Sequence, residues 1–167
     1  MIVNIVVNGD TEVIAKFKSM PAAVHAALLQ KVHALSLKLE AYVKKNKLSG
    51  QVLNRKSGRL IRSIGSRVLD SDKSVFGIVF QSADVPYGGI HEYGGKTSAH
   101  VITPKKAKVL AFTKAGATVF ARKVNHPGSK MPTRSYMRSS LREMSTEISL
   151  GMKEAIVKGA QQHMGGA

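Results

Sequence analysis

Cysteine and tryptophan are both absent from this sequence, and acidic residues are scarce. Without cysteine there can be no disulfide, no thiolate metal centre and no cysteine nucleophile, so the fold does not depend on an oxidising compartment. Five Phe and four Tyr are too few to build the row of stacking platforms that single-strand binders use. The core must therefore come from Val, Ile, Leu, Ala and Met. No apolar run approaches the roughly 18 residues of a membrane span. Met1 to Asn8 reads as a strand, lacking the basic start and small-residue cleavage site of a secretory leader. The expectation is a chain that is neither secreted nor inserted.

The shortage of acid is uneven along the chain. Lys and Arg number 26 against 10 Asp and Glu, a formal charge of +16. Between Glu40 and Asp70 there is no carboxylate, while Lys44, Lys45, Lys47, Arg55, Lys56, Arg59, Arg62 and Arg67 fall in that gap. A longer gap from Tyr93 to Arg142 holds Lys96, Lys105, Lys106, Lys108, Lys114, Arg122, Lys123, Lys130, Arg134, Arg138 and Arg142. Such fields favour polyanions or acidic protein surfaces, the plain alternative being a solvated surface that aids solubility.

With 167 residues, 43% of them hydrophobic and 22% charged, the chain has the size and balance of one folded domain spanning 1–167. Ile2 to Val7 is a β-branched strand. Asn8-Gly9-Asp10 then turns into a short helix over Thr11 to Ser19. Val24, Leu28, Val32, Leu35, Leu39 and Tyr42 recur at three- and four-residue spacing, which predicts a long amphipathic helix to about Lys45, with Ser19 as its cap. Leu48 to Gly58 reads as a mobile polar loop. Ser57 can cap a turn holding Arg59, Leu60, Ile61 and Ile64.

Gly65 to Asp70 and Val75 to Gln81 then predict a hairpin turning at Asp70-Ser71-Asp72-Lys73. A helical turn opens at Asp84-Val85-Pro86-Tyr87 and ends at Gly94-Gly95. Three more strands follow over Val101 to Thr103, Val109 to Thr113 and Thr118 to Val124, and His126-Pro127-Gly128 and Met131-Pro132 form a rigid loop. A final helix from Thr133 or Ser135 presents Met137, Leu141, Met144, Ile148, Met152 and Ala155 on one face and frays over 163–167. The predicted class is α+β: a mainly antiparallel sheet packed by a long helix in the N-terminal half and a C-terminal helix.

Catalytic signatures fail one after another. His91-Glu92 would need a second histidine one helical turn on to hold zinc, and that position is Gly95. The other histidines are scattered, so no metal site is expected. Neither a Gly-x-Ser-x-Gly elbow nor a phosphate-cradling Gly-x-x-x-x-Gly-Lys is present. Acid–base work by Glu92 with His91 lacks any accompanying oxyanion donor or substrate group. No catalytic, cofactor-binding or metal-ligating residue is assigned, and the chain is not expected to be an enzyme.

Three segments stand out together. They are Ser57-Gly58-Arg59-Leu60-Ile61-Arg62-Ser63-Ile64, Val85-Pro86-Tyr87-Gly88-Gly89-Ile90-His91-Glu92-Tyr93-Gly94-Gly95, and Pro132-Thr133-Arg134-Ser135-Tyr136-Met137-Arg138. In order and spacing they resemble the neck and tail-completion proteins of tailed bacteriophages, also described as head–tail joining or minor tail proteins. That family typically shows a Thr/Ser-Gly-Arg-Leu-x-x-Ser-Ile block, a Tyr-Ala-x-x-His/Ile-Glu-Phe/Tyr-Gly block and a Pro-x-Arg-Pro-Phe-Met/Leu-Arg block before its last helix. The resemblance runs from about Lys16 to the C-terminus. This chain departs from it in having Gly88 for Ala and Ser135-Tyr136 for Pro-Phe.

The resemblance implies a structural virion protein of the neck or tail end, assembled in the host bacterial cytoplasm. It also implies a homo-oligomeric ring, sixfold by preference, that contacts other neck or tail proteins and lets double-stranded DNA pass without sequence specificity. No cofactor and no membrane are implied. A protein that binds nucleic acid without sequence specificity is the alternative. The motif residues assigned to assembly are Arg59, Arg62, Tyr87, Ile90, His91, Glu92, Tyr93, Gly94, Arg134, Tyr136, Met137 and Arg138. Tyr87, Ile90 and Tyr93 share a helical face and are expected to pack on the sheet while His91 and Glu92 point elsewhere. Arg134 and Arg138 read either as a solvated pair or as an inter-subunit anchor. Glu92, isolated among cations, is expected to pair with Arg59, Arg62, Arg134 or Arg138.

Overall fold

A computed structural model describes residues 4–6, 22–71 and 74–164. The predicted turn at 8–10, the short helix over 11–19, the Ser19 cap of the long helix, the centre of the 70–73 turn and the last residues of the frayed end (165–167) lie outside the described residues. Strand β1 (Asn4–Val6) is followed by helix α1 (Ala22–Asn46), the short helix α2 (Arg59–Arg62), strands β2 (Ile64–Ser71) and β3 (Ser74–Gln81), and helix α3 (Gly88–Tyr93). Strands β4 (Gly95–Lys96), β5 (His100–Ile102), β6 (Leu110–Lys114), β7 (Ala117–Ala121), β8 (Val124–His126) and β9 (Lys130–Met131) come next, and helix α4 (Met137–Met164) is last.

Helix α1 packs on a three-stranded antiparallel sheet of order β1-β3-β2, and α4 packs along α1, antiparallel to it; Met137, Met144 and Ile148 of α4 join Ile64 and Val79 of the sheet in one core. Both helices bury the faces that their spacing predicts: Val24, Leu28, Val32 and Leu39 on α1, and Met137, Met144, Ile148 and Ala155 on α4. Three polar contacts lie along the seam, Lys31–Glu154, Lys38–Glu147 and Tyr42–Glu143. Lys47 adds a second contact to Glu143. Small residues set the spacing between layers. A Cβ on Gly159 would stand 2.5 Å from the Val24 backbone, and one on Gly77 would stand 2.1 Å from Ser36 Oγ, so helix meets helix and helix meets sheet at closer range than any larger residue permits.

The 48–58 loop is less polar in space than in sequence. Leu48 and Leu53 are buried in the main core, and the amides of Val52 and Leu53 both donate to the Lys47 carbonyl. Two leucines five residues apart show no strand or helix period, which is why the sequence hid them. Ile64, expected on the short helical turn, instead opens β2 and is buried.

The strands predicted after residue 100 exist, but they do not join the main sheet. Three antiparallel ladders, β4-β9, β5-β8 and β6-β7, succeed one another along a single two-stranded ribbon. What reads in sequence as a rigid Pro-Gly loop supplies β8, β9 and the bend between them. There a Cβ on Gly128 would lie 2.1 Å from the Thr97 carbonyl oxygen. The ribbon turns at Ala115-Gly116, both at positive φ (48° and 82°), as a two-residue hairpin turn of matching twist requires. No residue from Tyr93 to Ser135 is buried.

Candidate functional site

The second and third sequence blocks meet at one joint, and the first lines a cleft beside it through Arg59, Leu60 and Ile61. Helix α3 carries Glu92, whose side chain has 0% exposure, and it abuts the chain where α4 begins. Helix starts present backbone N–H groups without internal partners and a positive dipole end. Glu92 supplies the missing acceptor from another element. Its Oε2 accepts from the amides of Tyr136 (2.8 Å) and Met137 (2.9 Å). Its Oε1 accepts from Ser135 Oγ (2.7 Å) and from the amide and Nε of Arg138 (3.0 and 3.1 Å). Arg138 also donates through Nη2 to the Glu92 carbonyl and lies 4.5 Å from the centre of the Tyr93 ring.

Burial alone would raise the Glu92 carboxyl. The amides of Met137 and Arg138, the Ser135 hydroxyl and the Tyr136 amide outweigh it, holding the group below the usual carboxylate range. Five donors on two oxygens leave no lone pair directed at a substrate, so Glu92 is not placed to act as a general base.

The expected Glu92–arginine pair is thus present, with Arg138 as the partner. The expected packing of α3 is reversed. Tyr87 and Tyr93 are exposed and Ile90 is half-buried, whereas Glu92 is the side chain driven inward. The physical reason is that the start of α4 offers Glu92 three amides, a hydroxyl and the Arg138 side chain, the pairing and hydrogen bonding that a buried carboxylate requires. Arg134 precedes α4 rather than opening it; its amide donates to the His91 carbonyl at 2.7 Å. Gly94, at φ 73°, lets the chain leave α3 beside Thr133, whose hydroxyl donates to the Tyr93 carbonyl.

A second buried acceptor accounts for Gly88 and Tyr136 at once. Gln81, at the end of β3, accepts from the Tyr136 hydroxyl (2.8 Å) and donates to the carbonyls of Ser82 and Val85. A Cβ on residue 88 would lie 1.7 Å from Gln81 Oε1. Tyr136 and Gly88 therefore serve the same amide: one gives it a partner and the other gives it room. Burial, and after it the charge of Glu92, push the Tyr136 hydroxyl up, so it remains a neutral donor. Ser135 donates to Glu92 and accepts from the Ser139 amide. Gln81 lies outside the three blocks and sequence reasoning missed it; Ser135 stood in the third block but was given no role as a donor to Glu92.

Beside the joint opens a cleft of about 760 Å³ between the 48–61 segment and α3, lined by Arg55, Lys56, Arg59, Tyr87, His91 and Arg134 among others. Arg59 reaches the Asp84 carbonyl and Arg62, outside this cleft, the Ser57 carbonyl. Among the described residues none of Arg55, Lys56, Arg59 and Arg134 has a carboxylate partner. Burial, and after it the positive charge of Arg134, push the His91 imidazole down, and its buried Nδ1 has no hydrogen-bond partner. At neutral pH the cleft therefore presents a neutral histidine among cations, a surface suited to an anionic group of a partner. Among the described residues no group of three His, Asp or Glu side chains could hold a metal ion, and no helix is long and apolar enough to cross a membrane. No family model, no curated protein and no solved structure matches the chain.

Proposed function

We propose that this chain is a structural virion protein of the tailed-phage neck or tail end, acting as one subunit of a closed homo-oligomeric ring, sixfold by preference, through which DNA passes. The observation that carries this reading is the convergence of the three family-like blocks. The second and third blocks are joined at Glu92, and Arg59 of the first block lines an adjoining cleft with Tyr87, His91 and Arg134. The motif residues hold elements together and face outward with unpaired cations, as a subunit built for docking requires.

A ring arises from head-to-tail contacts whose rotation closes. Native mass spectrometry on the purified protein, alone and mixed with neighbouring neck proteins, is expected to give a closed oligomer in at least one condition. A strict monomer in both overturns the reading and leaves nucleic-acid binding without sequence specificity as the better account of the basic surface.

A further inference from the structure

The ribbon from Gly95 to Met131 carries eight Lys and Arg and no Asp or Glu. Among the described residues none of those eight has a carboxylate partner, whereas carboxylates on the helices and sheet, Glu40, Asp70, Glu143, Glu147 and Glu154, are each paired with a cation or histidine. The ladders place five of the eight at one level. The connection from β5 to β6 (103–109) holds Lys105, Lys106 and Lys108, and it runs opposite the connection from β7 to β8 (122–123), which is Arg122-Lys123. The result is a cationic waist between two paired segments. An isolated two-stranded ribbon is marginal in water at best, and this one exposes Phe120 at 67% and Val101 at 58%.

We propose that the ribbon is a duplex-DNA grip whose waist, Lys105, Lys106, Lys108, Arg122 and Lys123, neutralises backbone phosphates without reading bases. Charge selects the partner class, because a field with no carboxylate at all complements a uniform polyanion. A protein surface that needs to be told from others by its pattern of both signs is a poorer match. Shape agrees with charge, since a major groove about 12 Å wide admits a two-stranded ribbon. Side-chain type sets the mode. Seven of the eight cations are Lys, point charges that meet phosphates well and lack the planar fork with which Arg reads guanine. The inference rests on the ribbon alone and does not need the ring.

The test uses the full chain and two unrelated duplexes of about 25 base pairs, long enough for more than two helical turns, with fluorescence anisotropy across a salt series. Parent protein is expected to bind both alike, with affinity falling steeply as salt rises. Replacing the five waist residues together by Gln should weaken binding at least tenfold and flatten the log–log salt slope by about 0.9 for each phosphate no longer neutralised, up to about 4.5 in all. Replacing Arg55, Lys56 and Arg59 by Gln should leave most of the slope in place. Circular dichroism should match the parent for both variants, because all the waist residues are exposed. Parent slope and affinity in the waist variant overturn the proposal. So do loss of binding in the cleft variant alone, a salt-resistant preference for one duplex, and no binding by the parent at about 50 mM salt. Light scattering on the same samples separates this from the ring: a monomer that grips DNA through the ribbon leaves the inference standing, and a ring indifferent to DNA removes it.

Discussion

The helical body and the ribbon obey different rules, although one continuous chain builds both. In the body, apolar side chains are sealed between two helices and a sheet, and most described carboxylates meet a cation. In the ribbon nothing is buried and no carboxylate exists. Backbone pairing suffices to shape the ribbon but contributes little without a covered face, because most stabilisation in a small domain comes from apolar burial. The body specifies a structure by itself; the ribbon has a surface that only a partner can complete.

The sharpest way to break this contrast is at Glu92. Glu92→Gln removes the charge while keeping the shape, leaving four backbone or hydroxyl donors facing a weaker acceptor that also brings an amide of its own. A loss of about 2 to 4 kcal/mol is expected in denaturant unfolding, the range for a buried, hydrogen-bonded charge. Acidity should show the same thing. A carboxylate whose folded-state pKa is depressed adds stability above its unfolded value, near 4.5, and that contribution disappears as pH falls through the lower folded-state value. The variant should therefore lose less stability between neutral pH and that acid range than the parent does. Glu40, also held low in spite of burial by Lys44 and Ser66, keeps part of the acid dependence in place. If Glu92→Gln melts like the parent, the joint contributes nothing to the body.

A smaller effect is expected at Gly88. Adding a methyl there forces Gln81 from its place, with loss of the Tyr136 and Val85 hydrogen bonds, at a cost of about 1 to 3 kcal/mol. Gly88→Ala combined with Gln81→Ala and Tyr136→Phe should cost clearly less than the three single changes added together, with coupling of at least about 0.5 kcal/mol. Additive values would mean that Gly88 and Tyr136 do not act through Gln81 together. The smallest effect belongs to the ribbon. Phe120→Ser should change thermal unfolding of the free protein by no more than about 0.5 kcal/mol, as for surface positions in general. A large drop would show that the ribbon packs on something and would end its separation from the body.

The body was legible in the sequence because its information is periodic. The spacing of Val24, Leu28, Val32 and Leu39, and of Met137, Met144 and Ile148, identifies the buried faces directly. The ribbon was legible only in part, since alternation marks a strand but does not name its neighbour, and β5 to β8 pair among themselves. At the candidate site the sequence singled out Glu92 and offered four arginines, of which Arg138 is the partner. It misassigned the tyrosines of α3 because periodicity says which residues share a face, not whether that face turns inward. Gln81 was silent, since a buried amide is recognisable only from the two groups that accommodate it.

The ribbon leaves and re-enters the body at a single place. Tyr93 and Gly94 lead out and Thr133 and Arg134 lead back, held to each other by the Thr133 hydroxyl on the Tyr93 carbonyl and the Arg134 amide on the His91 carbonyl. With both ends clamped at the root, the span between them can lengthen or shorten at its tip without moving any core residue, and the entropic cost of such a change grows only with the logarithm of its length. Reach is thereby uncoupled from folding. Selection can tailor how far each arm extends toward whatever lies beside it while the body that carries the arm stays the same.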